Sequence, residues 1–380
     1  MMNLTVDDDG VLTFPPELLK DMGWEEGDSL QWIDNEDGSF TLKKEDEIDI
    51  LKLLTGLKYK QSLRYGENPH QDATWYVYPD QGLSNATQLQ GKELSYNNLI
   101  DLEAAISTIQ EFKDEESPAA VVIKHTNPCG VALGRCEHKP SLVPDTQATA
   151  LKRALDGDRT SSFGGIIALN REVDFECAEE ICGSFYECIV APKFSEAAKR
   201  KLSAKKNLRL LEMDVNNVKV SPYSIRSILG GVLVQEKDDD PVDTSEWKVV
   251  TERQPNEEEM RDMIFTWKVC RHVRSNAIVL GRWEQTWAIG AGQMNRVGSA
   301  KITFNNSVGG HEYSRIPYTR KAVMASDGFF PFSDTVTMAS KKGIEAIIQP
   351  GGSLRDQDSI DACNENGMTM IFTSKRHFLH

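Results

Sequence analysis

Arg64 and Tyr65, in the string LRYGENPHQ, place a guanidinium fork beside a phenol, and both can donate to a phosphate. Far along the chain, in ASDGFFPFSD, Phe329, Phe330 and Phe332 surround Pro331. Such rings can sandwich a flat heterocycle, with Asp334 accepting hydrogen bonds from it. Between them, AAVVIKHTNPCG carries an apolar run straight into Lys124 and His125. Polar residues at the carboxyl end of a sheet strand are where open α/β folds place ligands. Each string also has a plain structural explanation: an Asn-Pro turn, three core phenylalanines, or a polar strand end.

Four further strings offer glycine-bearing turns or strand starts. SSFGGIIALN offers Gly164-Gly165, which lets the main chain approach a ligand closely, although a glycine pair opening a strand is usually just a tight turn. RSNAIVL leads into AIGAGQMNRV, where Asn276 begins a buried strand and Gly290-Ala291-Gly292 joins a strand to a helix whose first turn holds Arg296. In IIQPGGSLRD, Ser353 and Leu354 follow another glycine pair.

The elements needed to position these groups can be read from periodicity. Residues 99–112 and 146–155 have helical spacing, the first with Leu102, Ala105, Ile106 and Ile109 on one face. Strand-like runs fall at 119–123, 166–169, 188–191 and 208–211. A second set begins with a helix at 257–273, followed by strands at 277–280, 287–290, 346–348 and 368–372. In AAVVIKHTNPCG the turn is expected at Asn127-Pro128 and Gly130. Alternation of short apolar strands with amphipathic helices indicates an α/β fold. The acidic, proline-containing stretch 236–255 reads as a linker between a first domain at 61–235 and a second at 256–380.

The first 47 residues stand apart. Residues 1–50 carry fifteen acidic side chains against three lysines, a net of −12, out of −15 for the 380 residues. Turn signals at Asp9-Gly10, Glu26-Gly27-Asp28 and Asp37-Gly38 separate short strands, and a helix is expected from Pro16 to Met22, stopped by Gly23. This strand-strand-helix-strand-strand order resembles the AbrB-like swapped-hairpin family, with 48–60 as a connector. Members often bind DNA, but so acidic a module lacks the cations that release counterions from a phosphate backbone. No nucleic-acid partner is expected. No apolar run approaches the roughly 20 residues of a membrane span, and no signal peptide is seen. The seven scattered cysteines fit free thiols, hence a cytoplasmic protein.

Taken together, LRYGENPHQ, KHTNPCG, SSFGG, RSNA, GAGQMNRV, SDGFFPF, QPGGS and the terminal RHFLH occur in an order and spacing that closely resemble the AICAR transformylase family, from about residue 60 to 380. The resemblance implies duplicated cytidine-deaminase-like three-layer α/β domains and an intertwined homodimer with active sites at the subunit interface. It implies formyl transfer from 10-formyltetrahydrofolate to the 5-amino group of AICAR. Lys124, His125 and Asn276 match catalytic positions. Arg64, Tyr65, Gly164, Glu187 and Arg376 match AICAR-binding ones, together with His125 and Asn276. Arg296, Phe329, Asp334, Ser353 and Leu354 match folate contacts, the last through its backbone. No tightly bound cofactor or catalytic metal is implied, and a monovalent cation is left open. Bifunctional relatives carry a cyclohydrolase module of about 200 residues ahead of this region, so a monofunctional enzyme is expected. The rival zinc deaminase needs H-x-E and P-C-x-x-C. Here His125-Thr126-Asn127 lacks the glutamate, Pro128-Cys129 is followed by Gly130-Val131-Ala132 without the second cysteine, and Cys136 and His138 have the wrong spacing. A second rival, a DNA-binding regulator with a decayed enzyme as its effector domain, is opposed by the acidic first module and the intact Lys124-His125 pair.

Overall fold

The computed structural model describes residues 13–25, 30–34, 40–44, 55–135, 144–307 and 321–380. The chain falls into two compact units, Met1–Leu57 and Lys58–His380. In the first, the helix Pro16–Met22 has proline in its first turn, and Gly23 ends it at φ 69°. Left-handed backbone of this kind is what glycine accommodates. Leu30–Asp34 and Phe40–Lys44 pair antiparallel. Of the strands expected before Pro16 only Thr13 and Phe14 are described, and they lie in no strand; the turns at Glu26-Gly27-Asp28 and Asp37-Gly38 and most of the 48–60 connector lie outside the described residues.

The second unit is built on one twelve-stranded sheet. Its order from edge to edge is Lys248–Val249, Thr369–Phe372, Ala346–Gln349, Val323–Ser326, Ile278–Arg282, Gln285–Gly290, Asn127–Leu133, Ala119–Lys124, Ile166–Leu169, Cys188–Ala191, Arg209–Glu212 and Thr87–Gln90. This is one pattern used twice. In each copy an edge strand precedes a long helix. A tight hairpin follows, then three parallel strands separated by helices, the last lying beside the edge strand. The copies meet at the centre, where Gln285 pairs with Ala132 and Leu133 N–H donates to the Glu284 carbonyl at 3.0 Å. The stretch read as a linker, 236–255, therefore contains the edge strand of the second copy. Its two paired residues are too short a run to show periodicity.

The long helices, Tyr96–Gln110 and Glu257–Cys270, begin with the same device. Ser95 and Asn98 form a reciprocal capping box, as do Asn256 and Glu259. Such boxes satisfy N–H groups that a helix start leaves open, stabilising it by about 1 kcal/mol. Both helices pack on one face of the sheet, where Leu102, Ile106, Ile109, Met263 and Phe265 meet Val121, Ile123 and Val279. The opposite face is covered by shorter helices over Val122, Ile167 and Ile189 in one copy and over Ile278, Leu280 and Ile347 in the other. Strand alternation sends neighbours such as Val121 and Val122 into different cores, and the result is the expected three-layer α/β arrangement.

Candidate functional site

The first copy's hairpin carries the Lys124-His125 pair. The turn is His125-Thr126, with Asn127 already opening the next strand and pairing with Lys124. Sequence reasoning set the turn two residues too late because Asn-Pro is a strong turn signal. Pro128 is instead accommodated beside a register shift, where its missing N–H breaks no regular ladder bond. His125 and Thr126 have φ of 53° and 62°. Two-residue hairpin loops of this twist need positive φ at both positions, at a cost of about 1–2 kcal/mol for each residue with a Cβ.

Asp101, one and a half turns into the Tyr96–Gln110 helix, offsets that cost. Its carboxylate accepts the N–H of Thr126 at 2.7 Å and of His125 at 3.3 Å. Burial pushes the Asp101 carboxyl above its ordinary value, and the N–H bonds of Thr126 and His125 only partly oppose it. Asn127 Nδ2 donates back to the His125 carbonyl at 3.1 Å. The His125 side chain is left exposed at a cleft of about 410 Å³ that Lys124, Cys129, Asp158, Ser161 and Asn306 also line. Burial pushes the Cys129 thiol up to about 12, so it is protonated near neutrality and no nucleophile.

Lys124 Nζ donates to the carbonyl of Phe163 at 2.6 Å, which brings the SSFGG loop to the pair. Gly164 has φ 75°, and its N–H donates to the Phe185 carbonyl at 2.8 Å. A Cβ on Gly165 would stand 2.6 Å from the Ile123 carbonyl oxygen, so only glycine lets this loop lie against the strand. Glu187 follows through its N–H to Gly165, and its carboxylate pairs with the buried guanidinium of Arg209. Arg64 donates to the Tyr65 hydroxyl at 3.0 Å and stacks over its ring at 4.7 Å. Their loop is tied to the start of the Tyr96–Gln110 helix through Asn97 Nδ2 and the Glu67 carbonyl, and neither residue lines the cleft.

Asn276 lines a second cleft of about 310 Å³ with Gly292, Met294, Phe378 and His380. Its backbone N–H and side-chain amide both donate to the Gln293 carbonyl, at 3.1 and 2.8 Å. Arg376 stacks over Phe378 at 4.6 Å. The two clefts are joined by Arg274: its N–H donates to Asn127 Oδ1 at 3.0 Å and its Nε to Thr126 Oγ1 at 3.2 Å.

Arg296 is buried rather than open to a cleft. Its guanidinium pairs with Asp327 and donates to Ser326 Oγ at 3.0 Å and to the Phe329 carbonyl at 3.1 Å. Asp327 is fully buried, and its other oxygen accepts the Ser275 hydroxyl. Its carbonyl takes the His377 N–H at 3.1 Å. RSNA, GAGQMNRV, SDGFFPF and RHFLH therefore converge on one residue, Asp327. Phe329 and Asp334 are exposed beside this loop, and Asp334 Oδ1 caps the Thr335 N–H at 2.8 Å. Leu354 is fully exposed, in a loop whose Gly352 and Ser353 N–H groups are held by Asp356 at 2.7 and 3.1 Å.

Asp101, Asp327 and Arg274 escaped the sequence reading because each acts through backbone or across long sequence separations. One signal was available for Asp101. Aligned on their capping boxes, Ser95-Asn98-Asp101 and Asn256-Glu259-Asp262 have the same spacing.

Fold and clefts together define a duplicated three-layer α/β protein whose polar groups gather at strand ends. Residues 32–306 match the model of the AICARFT/IMPCHase bienzyme family, and the chain belongs to that family. It is 55% identical over 357 residues to the bifunctional purine biosynthesis protein PurH of Prochlorococcus marinus (strain NATL1A), covering 92% of this chain and 64% of that one. The same protein of Synechococcus sp. (strain WH7803) is 53% identical over 338 residues, covering 87% and 61%. That of Parasynechococcus marenigrum (strain WH8102) is 51% identical over 331 residues, covering 86% and 61%. The chain thus spans less than two thirds of the length of these relatives. The family match begins at residue 32, so the likeness reaches into the first unit rather than starting near residue 60.

Proposed function

We propose that the chain is an AICAR formyltransferase, moving the formyl group of 10-formyltetrahydrofolate to the 5-amino group of AICAR in purine biosynthesis. The observation that carries this reading is the Lys124-His125 pair, fixed on a braced turn at the mouth of a cleft. The 5-amino nitrogen is conjugated with its imidazole and carboxamide and is a poor nucleophile. His125 takes a proton from it as it attacks the formyl carbon. The Lys124 ammonium and the Asn276 amide stabilise the resulting oxyanion. The bond from that carbon to N10 then breaks, and N10 leaves with a proton. Arg64, Tyr65, Gly164, Glu187 and Arg376 hold the nucleotide, while Phe329, Asp334, Ser353 and the Leu354 backbone face the folate. Arg296 acts on the folate end through the Phe329 loop it anchors.

Arg64 with Lys124 and His125 on one copy, and Asn276 with Arg376 on the other, serve one site when two chains associate as an interface-sharing homodimer. The reaction needs no redox cofactor or metal step. Among the described residues no helix is long and apolar enough to cross a membrane. A cytoplasmic setting suits both soluble substrates, and the six described cysteines are free thiols.

The test is incubation of the purified chain with AICAR and 10-formyltetrahydrofolate, with and without potassium, the products being resolved by chromatography. Formylated, uncyclised nucleotide is expected as the endpoint. Absence of formyl transfer refutes the reading. Inosine monophosphate at a comparable rate refutes its restriction to the first step.

A further inference from the structure

We infer that Asp101 is a positioning residue for His125, acting through the backbone of the His125-Thr126 turn rather than by touching substrate; this rests on the formyltransferase reading for its kinetic consequence. Neither residue of the turn is glycine, yet both sit at positive φ, and Thr126 is β-branched, which makes that backbone region especially unfavourable for it. Something must hold the turn. The Asp101 carboxylate does so with one oxygen on each N–H, at 2.7 Å to Thr126 and 3.3 Å to His125.

The duplicated fold provides an internal comparison. In the second copy the equivalent hairpin turns at Trp283-Glu284, again with both residues at positive φ, 52° and 53°. Asp262 occupies the same position in its helix as Asp101, five residues after the helix start, and accepts the Glu284 N–H at 2.8 Å. A carboxylate aimed at this turn is thus a built feature of the repeat. The surroundings differ between copies. In the second turn Glu284 is enclosed: it is buried and paired with Arg135, and its carbonyl accepts the Leu133 N–H. The first turn is open toward its cleft, with the His125 side chain exposed. Asp101 therefore carries more of the burden of orientation than Asp262. Losing it frees an imidazole that must meet one particular amine.

The experiment compares wild type with Asp101→Ala, Asp101→Asn and Asp262→Asn by steady-state kinetics, thermal melting and the rate of His125 carbethoxylation by diethyl pyrocarbonate, followed by mass spectrometry. Misplacement of a reacting group by about 1 Å costs on the order of 10²-fold in rate. Asp101→Ala is expected to lose kcat on that order with little change in the KM for AICAR. Asp101→Asn keeps one acceptor for Thr126 and should recover part of the loss. His125 modification should change severalfold in Asp101→Ala and remain at the wild-type rate in Asp262→Asn. A folded Asp101→Ala protein with wild-type kcat and wild-type His125 modification overturns the inference. If wild type itself fails to transfer formyl, the functional reading has failed, and the modification rates alone then decide the role of Asp101.

Discussion

Arg274 donates its backbone N–H to Asn127 Oδ1 at 3.0 Å, so the strand entry that carries Asn276 is fastened directly to the turn that carries His125. The contact spans 147 residues of sequence and links the two copies of the repeat at their polar ends. Asn127 also holds the His125 carbonyl, so one amide serves both attachments.

Asn127→Ala should consequently leave the part-buried Arg274 N–H without its partner, while the His125 carbonyl keeps the Thr126 hydroxyl at 2.7 Å. A loss of about 1 kcal/mol is expected, the net worth of one ordinary hydrogen bond. Urea denaturation measures it, and a change within error would mean that water replaces the amide without cost.

His125→Ala removes the proposed base. A general base contributes about 10²–10⁴-fold, so turnover should fall by that order. Nucleotide affinity, read by titration calorimetry, should change far less, because the phosphate is assigned to Arg64 and Arg376. Near-normal turnover with weakened affinity would make His125 a binding residue.

Asp327→Ala leaves the Arg296 guanidinium buried without its charge partner. Breaking a buried ion pair from one side costs about 3–5 kcal/mol. Replacing both residues together with apolar ones of similar volume should recover much of that stability. Additive losses in the double variant would show that the two do not act as a pair.

Asp262 gives a pH signature. Burial pushes its carboxyl from 3.8 to about 6, against the pull of the Glu284 and Trp283 N–H bonds. The folded state then holds this proton more tightly than the unfolded state. Stability from this group is complete below about pH 4 and is lost as pH rises through 6. The change amounts to roughly 3 kcal/mol for a shift of about two units. Asp262→Asn should flatten the stability profile between pH 4 and 7, as followed by chemical denaturation. A variant with the wild-type slope would place the titration elsewhere.

The first unit should be dispensable for formyl transfer, because every proposed site residue lies between Arg64 and Arg376. A shortened chain beginning at Leu57 is expected to retain activity, and neither it nor the full chain should be retained on DNA at low salt. A folded but inactive shortened chain would mean that the first unit helps to build the site.

By itself the sequence determined many of the helices and strands, and the chemical vocabulary of the site. Leu102, Ile106 and Ile109 repeat at helical spacing, and Ala119–Lys124 is an unbroken apolar run ending in a lysine, because burial selects residue types locally. Motif order was enough to suggest the family. Tertiary structure alone decided what holds those residues in place. Asp101, Asp327 and Arg274 act by hydrogen bonds over separations of 24 to 148 residues, and such pairs leave no periodic trace in the chain. It also moved the turn from Asn127-Pro128 to His125-Thr126. A carboxylate on a neighbouring helix can stabilise backbone that local propensity disfavours, and propensity is all that a short stretch of sequence reports.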